Sequence, residues 1–312
     1  MSISVVTGAA GFVGSNLVRE LLDRGHEVRG IDNLSTGRKE NIASIKDNER
    51  FTMHKLDIRS DELHTVMEDV DYLFHQAAVP SVPRSVDDPV TTTKANCTGT
   101  TRVLTAARDA DVDSVVVASS SSVYGSGGEL PKREDQPVSP ESPYALSKYW
   151  TEKLAVQFAD LYDINTVALR YFNVFGPRQD PHSDYAAVIP KFINLMLNGE
   201  QPPIYGDGEQ SRDFTYIDNV LQANIKAAKS NVSGEVFNVA CNDRITVNEL
   251  VTAINEILGK DIDPVHEDPR PGDVRHSQAD VSKARRMIGY QPEVSFQEGL
   301  EQTINYLVKI NN

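Results

Sequence analysis

A glycine-rich loop at residues 7–14 constrains the fold of this chain more than any other segment. It reads Thr-Gly-Ala-Ala-Gly-Phe-Val-Gly and joins an apolar run to an amphipathic stretch with helical periodicity. Gly8 suits a tight turn, Gly11 allows a ligand to approach the backbone, and Gly14 allows close packing of helix on strand. The loop therefore predicts a strand–turn–helix unit whose helix N-terminus can bind the pyrophosphate of a dinucleotide.

Apolar, β-rich runs alternate with helical stretches through the first half of the chain. The runs that we expect to form strands are 3–6, 27–32, 51–56, 72–75 and 114–118. This alternation is typical of an α/β fold, a Rossmann-type doubly wound parallel sheet covered on both faces. After Asn173, frequent prolines shorten the elements. We expect a dinucleotide-binding domain with the catalytic residues over 1–172 and a smaller C-terminal α/β substrate domain over 173–312, with segments such as 236–239 returning to the main sheet.

An acidic residue, Asp32, ends the second of these predicted strands. A carboxylate at this position accepts hydrogen bonds from the adenosine ribose and repels a 2′-phosphate, which favours NAD over NADP. Asp57 and Ile58 follow the third predicted strand, where an adenine contact would fall. Taken alone, Asp32 is as readily a turn residue before Asn33. Beside the glycine loop it indicates an NAD site.

A Tyr-x-x-x-Lys pattern occurs in two overlapping copies, one beginning at Tyr144 and one at Tyr149. Pro143 suits the first turn of a helix, so Tyr144 stands at a helix start with Lys148 one turn further on. Tyr149 would point to a different face of that helix. Ser120 follows the predicted strand 114–118, at the carboxyl edge where doubly wound sheets bind ligands. The first copy is therefore the catalytic candidate.

These three side chains suit the removal of a proton from a sugar hydroxyl while a cofactor takes the hydride. A phenol with a pKa near 10 must lose about 3 units, roughly 4 kcal/mol, to act as a base near neutral pH. The positive charges of Lys148 and of a nicotinamide ring would supply that stabilisation, and Ser120 would position the hydroxyl. Without Tyr144 and Lys148, residues 119–122 would be interpreted as a polar turn.

Composition excludes several other classes of function. The net charge is −14, which argues against nucleic acid or an anionic membrane as partner. Two cysteines, Cys97 and Cys241, are too few for a disulfide scaffold, and no leader or spanning segment is evident, so a cytoplasmic protein is expected. The seven histidines are scattered without the spacing of a metal site, so no metal is expected.

Successive blocks of the chain resemble the extended short-chain dehydrogenase/reductase enzymes that act on nucleotide sugars. The resemblance covers nearly the whole chain, and its blocks are TGAAGFVG at 7–14, DNLSTG at 32–37, HQAA at 75–78, SSSSVYG at 119–125, SPYALSK at 142–148 and RYFNVFGPRQDP at 170–181. A narrower similarity, to UDP-sugar 4-epimerases and especially the UDP-N-acetylglucosamine branch, is carried by VPRSVDDP at 82–89, YAAVIPKF at 185–192, GDGEQSRDFTYIDN at 206–219 and PGDVRHSQAD at 271–280.

This resemblance implies an isomerase that holds NAD tightly, oxidises C4 of the sugar to a ketone and returns the hydride to the opposite face. It implies Tyr144 as base, Lys148 as its electrostatic partner and ribose anchor, and Ser120 as the partner of the reacting hydroxyl. The cofactor-binding residues it implies are Gly8, Gly11, Phe12, Val13, Gly14, Asp32, Asn33, Ser35, Thr36, Gly37, Asp57, Ile58, Gln76, Ala77, Ala78, Asn96, Tyr144, Lys148 and Tyr171.

The same resemblance implies a UDP-sugar site. Its residues are Ser81, Ser120, Ser121, Ser122, Tyr144, Asn173, Ala187, Val188, Tyr205, Arg212, Arg270, Asp273 and Ser277. Arg212 and Arg270 match positions that clamp the diphosphate, a role that suits the multi-donor guanidinium, although surface salt bridging would also account for them. Asp273 would hold the uridine ribose, Asn173 would contact the sugar or its phosphate, and Ser81 would line the sugar pocket.

Ser277 matches a gate position at which some epimerases of this family carry a bulky Tyr and accept only non-acetylated sugars. A small residue leaves room for a 2-acetamido group without requiring one. UDP-N-acetylglucosamine and UDP-N-acetylgalactosamine are therefore the favoured pair of substrates, with UDP-glucose and UDP-galactose as a second pair.

Alternatives remain at this stage. Sugar-nucleotide 4,6-dehydratases place an Asp-Glu pair after the equivalent of Ser120, where this chain has Ser121 and Ser122. A UDP-glucuronate 4-epimerase or decarboxylase is closer, and a non-catalytic NAD-binding regulatory protein is a third possibility. Related enzymes usually form homodimers, so the helical stretches 91–108 and 144–161 are expected to pair across a two-fold axis, unless their apolar faces cover the sheet.

Overall fold

The computed structural model describes residues 1–183, 186–269 and 274–311. The elements of its first half are β1 (Ile3–Thr7), α1 (Phe12–Asp23), β2 (Glu27–Ile31), β3 (Phe51–His54), β4 (Tyr72–His75), α2 (Val82–Asp87), α3 (Pro89–Thr93), α4 (Gly99–Asp109), β5 (Ser114–Ser120), α5 (Pro143–Tyr162) and β6 (Asn165–Tyr171). Single turns of 3₁₀ helix lie at Lys39–Ile42, Asp61–Val66 and Ser121–Tyr124, and a π turn lies at Lys94–Thr98.

The second half consists of shorter elements. They are β7 (Val174–Phe175), α6 (Val188–Leu197), β8 (Pro203–Tyr205), β9 (Ser211–Arg212), β10 (Thr215–Tyr216), α7 (Ile217–Ala228), β11 (Glu235–Val239), β12 (Ile245–Thr246), α8 (Val247–Leu258), β13 (Val265–Glu267), α9 (Ser282–Ile288) and α10 (Phe296–Asn311). Strands β7 with β10, β9 with β12, and β8 with β13 form three two-stranded ladders.

The central sheet has seven strands in the order β11-β6-β5-β4-β1-β2-β3, and all of its pairs are parallel. Strand β11 comes from the second half of the chain and pairs with β6 at one edge. The predicted fold class, a doubly wound parallel sheet, is therefore confirmed.

Apolar side chains cover both faces of the sheet because successive residues of a strand point to opposite sides. Val5 of β1 and Val115 of β5 belong to one buried cluster, whereas their neighbours Val6 and Val116 belong to the other. Such strands are apolar at nearly every position, which is the pattern from which the parallel sheet was predicted.

Two elements differ from the sequence-based expectation. Strand β5 continues through Ser120, because its ladder with β6 runs on to the pair of Ser120 with Tyr171. The helical stretch predicted over 91–108 is divided into α3, the π turn and α4. The π turn carries Asn96, whose side-chain amide is bonded to the backbone of Val79. In the described part of the chain, no helix combines the length and apolar character that a membrane crossing requires.

Candidate active site and cofactor cleft

A cleft of about 760 Å³ opens at the carboxyl ends of the central strands. Nineteen of the residues predicted for the cofactor or the substrate line it, and they are Gly8, Gly11, Phe12, Val13, Gly14, Asp32, Asn33, Ser35, Thr36, Asp57, Ile58, Gln76, Ala77, Ala78, Ser81, Tyr144, Lys148, Tyr171 and Ala187. The glycine loop, the end of β2 and the start of α5 thus face one common space.

Two glycines of the loop, Gly8 and Gly14, are packed too closely for a side chain. Gly8 has a φ of +71°, and a Cβ added there would lie 2.9 Å from the backbone of Ala77. A Cβ on Gly14 would lie only 2.0 Å from the carbonyl oxygen of Gly8. Helix α1 begins after Gly11, and no side chain in the described part of the chain caps its N-terminus. Its first N–H groups and the positive end of the helix dipole therefore suit the phosphates of a dinucleotide.

Asp32 is held rigidly at the end of β2. Its carboxylate accepts hydrogen bonds from the backbone N–H of Ala10 at 3.0 Å and of Leu34 at 2.7 Å. Burial raises the pKa of Asp32, and the two backbone bonds oppose that rise. Gly37 does not line the cleft, but a Cβ there would lie 2.6 Å from the Asp32 carboxylate. This fixed carboxylate, together with the uncapped helix, fits the ribose and pyrophosphate of NAD.

Asp57 lies on the far side of the same part of the cleft. The guanidinium of Arg59 bonds its carboxylate at 2.7 and 2.8 Å, and the Asn33 amide bonds it at 2.8 Å. The hydrogen bonds from Arg59 hold the pKa of Asp57 well below its usual range. The residue is therefore a fixed anion at the rim, next to the position expected for the adenosine.

Lys148 lies one helical turn after Tyr144, on the buried side of α5. Its Nζ donates to the carbonyl oxygen of Ala118 at 2.9 Å and stands 5.9 Å from the centre of the Tyr144 ring. Burial lowers the pKa of Lys148 to about 8. Burial also raises the pKa of Tyr144, while a hydrogen bond with Ser120 opposes the rise. The chain by itself keeps Tyr144 protonated, so the expected lowering of its pKa needs a further positive charge in the cleft.

Ser120 is the last residue of β5 and caps the 3₁₀ turn that follows. Its Oγ accepts from the backbone N–H of Ser122 at 3.2 Å and from the Ser122 hydroxyl at 2.9 Å. With its lone pairs so occupied, Ser120 can donate its own proton toward Tyr144. Ser121, which lies between Ser120 and Ser122 in the sequence, is half-buried. The serine run is thus a hydrogen-bonded turn that presents the Ser120 hydroxyl next to Tyr144.

A buried ion pair under the catalytic strand was not predicted from the sequence. Glu152 of α5 accepts from Arg170 of β6 through Nε at 3.0 Å and Nη2 at 2.7 Å, and from the Ser119 hydroxyl at 3.0 Å. The Arg170 guanidinium also lies 4.7 Å from the centre of the Tyr124 ring. The sequence signals were an arginine in an apolar strand and a glutamate four residues after Lys148. The pair ties α5, β5 and β6 together where they carry the catalytic candidates.

Two predicted cofactor residues lie in polar networks. The Asn96 amide bonds the backbone of Val79 at 2.8 and 3.2 Å and the Ser147 hydroxyl at 2.9 Å, and Asn96 does not line the cleft. The Tyr171 hydroxyl donates to the amide oxygen of Gln76 at 3.1 Å. In this structure the Asn96 side chain therefore holds Val79, which lines the cleft.

The residues predicted for UDP form a second group. Of those that the structure describes, eight do not line the cleft. Seven of them are Ser120, Ser121, Ser122, Val188, Tyr205, Arg212 and Ser277. Asn173 does not line it either, but donates from Nδ2 to the backbone oxygen of Asp213 at 3.1 Å. Ser277 N–H donates to the Ser211 oxygen at 3.0 Å. Asn173, Arg212 and Ser277 are thus brought together around residues 211–213.

Val188 begins α6, with Ala187 as its cap, and Tyr205 ends β8. The predicted residues Arg270 and Asp273 lie outside the described residues. The predicted roles of all these side chains toward UDP stay predictions.

The cleft also has a wall that sequence reasoning did not assign. Arg38, Arg178, Gln179 and Asp180 line it, and Arg38 pairs with Asp180 at 3.0 Å. Arg178 donates from Nε to Asn16 of α1 at 3.1 Å. The sequence signal for this wall is the block at 170–181, which contains three of these four residues. No cluster of three or more potential metal ligands occurs among the described residues.

Comparisons with known proteins identify the family of this chain. The model of the NAD dependent epimerase/dehydratase family matches residues 4–240. The chain is 41% identical to the UDP-glucose 4-epimerase of Mycolicibacterium smegmatis, over 97% of each chain. Among solved structures, the UDP-N-acetylglucosamine 4-epimerase of Methanobrevibacter ruminantium, in complex with UDP-N-acetylmuramic acid, is 43% identical with a TM-score of 0.95 and 99% coverage of both chains. The UDP-glucuronic acid 4-epimerase of Bacillus cereus, in complex with UDP-glucuronic acid and NAD, is 34% identical with a TM-score of 0.91 and the same coverage.

The predicted cofactor, NAD, is confirmed by the family match, and the cleft carries the features that NAD requires. The expectation of a nucleotide-sugar enzyme of the extended short-chain dehydrogenase/reductase type is confirmed as well. The chain belongs to the NAD dependent epimerase/dehydratase family.

Proposed function

We propose that this enzyme is a UDP-sugar 4-epimerase that interconverts UDP-N-acetylglucosamine and UDP-N-acetylgalactosamine, with UDP-glucose and UDP-galactose as a second pair. One observation carries the proposal. Tyr144 and Lys148 line one cleft, with Lys148 Nζ 5.9 Å from the centre of the Tyr144 ring, and the same cleft contains the N-terminus of α1 and the fixed carboxylate of Asp32.

NAD, which the glycine loop and Asp32 would hold, would supply the hydride acceptor and later the hydride donor for C4 of the sugar. Tyr144 removes the proton of the C4 hydroxyl, and Ser120 holds that hydroxyl in line with the phenolic oxygen. Lys148 is anchored to the Ala118 carbonyl at 2.9 Å, so its charge stays in place near the Tyr144 ring. The transient 4-keto sugar turns within the site, and Tyr144 returns the proton when the hydride arrives on the other face.

The UDP half of the substrate is assigned to the second group of residues. We propose that Arg212 and Arg270 hold the diphosphate, Asp273 the uridine ribose, and Asn173 the sugar or its phosphate. Support for Arg212 and Asn173 comes from their position on either side of Asp213, where β9 and the end of β6 meet. We also propose that residues 1–172 form the NAD domain and 173–312 mainly the substrate domain.

The preference for an acetylated sugar depends on Ser277. A serine at the gate leaves space for the 2-acetamido group. The likeness to the Methanobrevibacter ruminantium enzyme favours this substrate, whereas the likeness to the Mycolicibacterium smegmatis enzyme favours UDP-glucose. A UDP-glucuronate 4-epimerase is the second candidate, supported by the likeness to the Bacillus cereus enzyme.

We further propose a homodimer formed by α5 and the neighbouring helices α2 and α3. These helices expose large apolar side chains, and the exposed set on them is Val82, Val86, Val90, Leu146, Trp150, Leu161 and Tyr162. Large apolar side chains exposed together on neighbouring helices are typical of an interaction site. A cytoplasmic location is proposed too, since the two cysteines are unpaired and a reducing compartment keeps thiols in that state.

The first test incubates the purified protein, without added cofactor, with UDP-N-acetylglucosamine, UDP-glucose and UDP-glucuronate in separate samples, followed by proton NMR. Appearance of the C4 epimer of the acetylated sugar supports the proposal. Conversion of UDP-glucose alone refutes the substrate preference, and conversion of UDP-glucuronate alone favours the second candidate. No conversion of any sugar, even with NAD added, refutes the epimerase.

The chain offers a matched control for the catalytic assignment. Tyr149 and Lys153 repeat the Tyr-x-x-x-Lys spacing, with Lys153 Nζ 5.4 Å from the Tyr149 ring. We expect Tyr144→Phe to lower kcat by at least about 10²-fold while NAD stays bound, since general-base catalysis is lost. Tyr149→Phe should leave kcat unchanged. Equal effects of the two substitutions would contradict the assignment.

A further inference from the structure

The segment 274–280, called the strap below, carries Ser277 across the substrate half of the molecule. On one side it is bonded to the backbone of β9. Ser211 donates its N–H to the carbonyl of Arg275 at 2.9 Å, and its own carbonyl accepts from Ser277 N–H at 3.0 Å. The Ser211 hydroxyl and His276 Nδ1 are 2.9 Å apart. Ser277 is therefore held by its main chain.

On its other side the strap is bonded to the loop before α5. Lys132 donates its N–H to the carbonyl of Gln278 at 2.7 Å, and its carbonyl accepts from Asp280 N–H at 2.9 Å. The side-chain amide of Asn238, fully buried in β11, donates to the carbonyls of Lys132 and Asp280 at 2.9 and 3.2 Å. Two separate parts of the chain thus clamp the strap around Ser277.

A single buried carboxylate joins these parts. Asp213 is fully buried, and its Oδ2 accepts from the N–H of Ala279 in the strap at 3.1 Å. Its Oδ1 accepts from the N–H of Cys241, just after β11, at 2.8 Å. The backbone oxygen of Asp213 accepts from Asn173 at 3.1 Å, and the preceding residue is Arg212. Burying a carboxylate costs free energy of desolvation unless hydrogen bonds compensate it. The hydrogen bonds of Asp213 connect its own segment to the strap, to the residue after β11 and to Asn173.

We propose that Asp213 is a positioning residue for the UDP-sugar: its carboxylate fixes the strap, and with it Ser277, against the residues beside Asn173 and Arg212. This inference rests on the proposed function for the identity of the ligand. Asp213 is not proposed to touch the substrate. Its loss should therefore weaken substrate binding and leave the chemical step and NAD binding intact.

The ionised form of Asp213 is the one that can accept both hydrogen bonds fully. Burial raises the pKa of Asp213 to about 7, with the neighbouring Asp243 carboxylate adding to the rise. The other titratable groups around it are Cys241 and Tyr290, which stay neutral because burial raises both pKa values, and His276 on the strap. Protonation of Asp213 below about pH 7 removes one acceptor, so substrate binding should weaken as the pH falls.

The test compares Asp213→Asn with Asp243→Asn, which makes the same chemical change at an exposed carboxylate two residues from Cys241. For Asp213→Asn we expect KM for UDP-N-acetylglucosamine to rise about tenfold, the effect of losing one charge-assisted hydrogen bond, with kcat and bound NAD unchanged. Both variants are assayed at about pH 8.5, where Asp213 is ionised whether or not Asp243 is present, and there Asp243→Asn should behave as wild type. An unchanged KM in Asp213→Asn, or a loss of kcat at constant KM, would overturn the proposal.

A second measurement needs no substitution at Asp213 and covers the case in which that variant fails to fold. Binding of UDP-N-acetylglucosamine to the wild type is measured by calorimetry from about pH 6 to pH 8.5, a range in which the diphosphate diester keeps both charges. The affinity should fall about tenfold toward the acid end, and His276→Gln should show the same profile. A flat profile, or one that disappears in His276→Gln, would overturn the proposal.

The two proposals fail in distinguishable ways. Absence of turnover on every UDP-sugar refutes the epimerase function. In that case the pH dependence of UDP-N-acetylglucosamine binding still tests the role of Asp213 in holding the strap. Normal turnover with a pH-independent affinity refutes the role of Asp213 and leaves the epimerase standing.

Discussion

Replacing Glu152 by Gln removes one charge from the ion pair beneath the catalytic strand and changes almost nothing else in side-chain volume. The wild-type carboxylate accepts three hydrogen bonds, two from Arg170 and one from Ser119. Both partners of the pair are buried, with side-chain exposures of 5% for Arg170 and 0% for Glu152. Glutamine would leave the guanidinium charged, buried and facing an amide.

The expected loss follows from that burial. Breaking a buried ion pair by removing one partner costs about 3–5 kcal/mol, because the remaining charge has no counterion. Little else compensates Arg170, since its Nη1 has no hydrogen-bond partner among the described residues and the Tyr124 ring provides a cation–π contact. Glu152→Gln should therefore lower the free energy of unfolding by about 3–5 kcal/mol, a large part of the stability of a typical domain.

An exposed pair that is also held by two hydrogen bonds provides the control. Asp207 accepts from Arg275 at 2.8 and 2.7 Å, but both side chains are more than half exposed. Asp207→Asn should cost far less stability than Glu152→Gln, because water screens the charges and solvates the remaining one. Urea unfolding at saturating NAD, followed by fluorescence and circular dichroism, measures both variants.

Two outcomes would refute this reasoning. One is a loss below about 1 kcal/mol for Glu152→Gln, and the other is an equal loss in the exposed control. A double variant, Glu152→Met with Arg170→Met, provides an independent check. It should be more stable than Glu152→Gln, since no unpaired charge remains in the core.

Three further predictions concern the cleft, the pH dependence of stability and the surface. Gly14→Ala should abolish NAD retention, measured by absorbance after gel filtration, because its Cβ would lie 2.0 Å from the Gly8 oxygen, whereas Gly127→Ala, with open space around it, should retain NAD. The pKa of Asp213 is raised to about 7, so its ionisation disfavours folding increasingly as the pH rises toward that value. As the pH rises from about 5 to about 8, the free energy of unfolding of Asp213→Asn, measured in urea, should increase relative to that of the wild type. A difference between the two proteins that does not change with pH would contradict this. Trp150→Glu should shift the sedimentation coefficient from dimer to monomer, whereas Val265→Glu, at a similarly exposed apolar residue outside the proposed interface, should not.

Some parts of this protein follow from local sequence alone. A buried strand that leads through the glycine loop into a helix allows few structures, because Gly8 must adopt a positive φ and Gly14 must pack against it. The positions of Asp32 and of the Tyr144–Lys148 pair follow from the ends of such elements. Their chemistry could be predicted because parallel strands bring their carboxyl ends to one edge.

Other parts were decided by the tertiary structure. The local sequence does not predict the contacts of Glu152 with Arg170, of Asp213 with Ala279, or of Asn96 with Val79. Each contact joins two separate segments, and the pattern of each segment predicts only its own helix, strand or loop. A buried polar group is tolerated wherever the fold supplies its partner, and that partner can come from any part of the chain. The sequence by itself determined the sheet, the cofactor cleft and the catalytic candidates, since these depend on periodicity and strand ends. Only the packed chain decided how the substrate half is held, since hydrogen bonds between distant segments form only once the fold has brought those segments together.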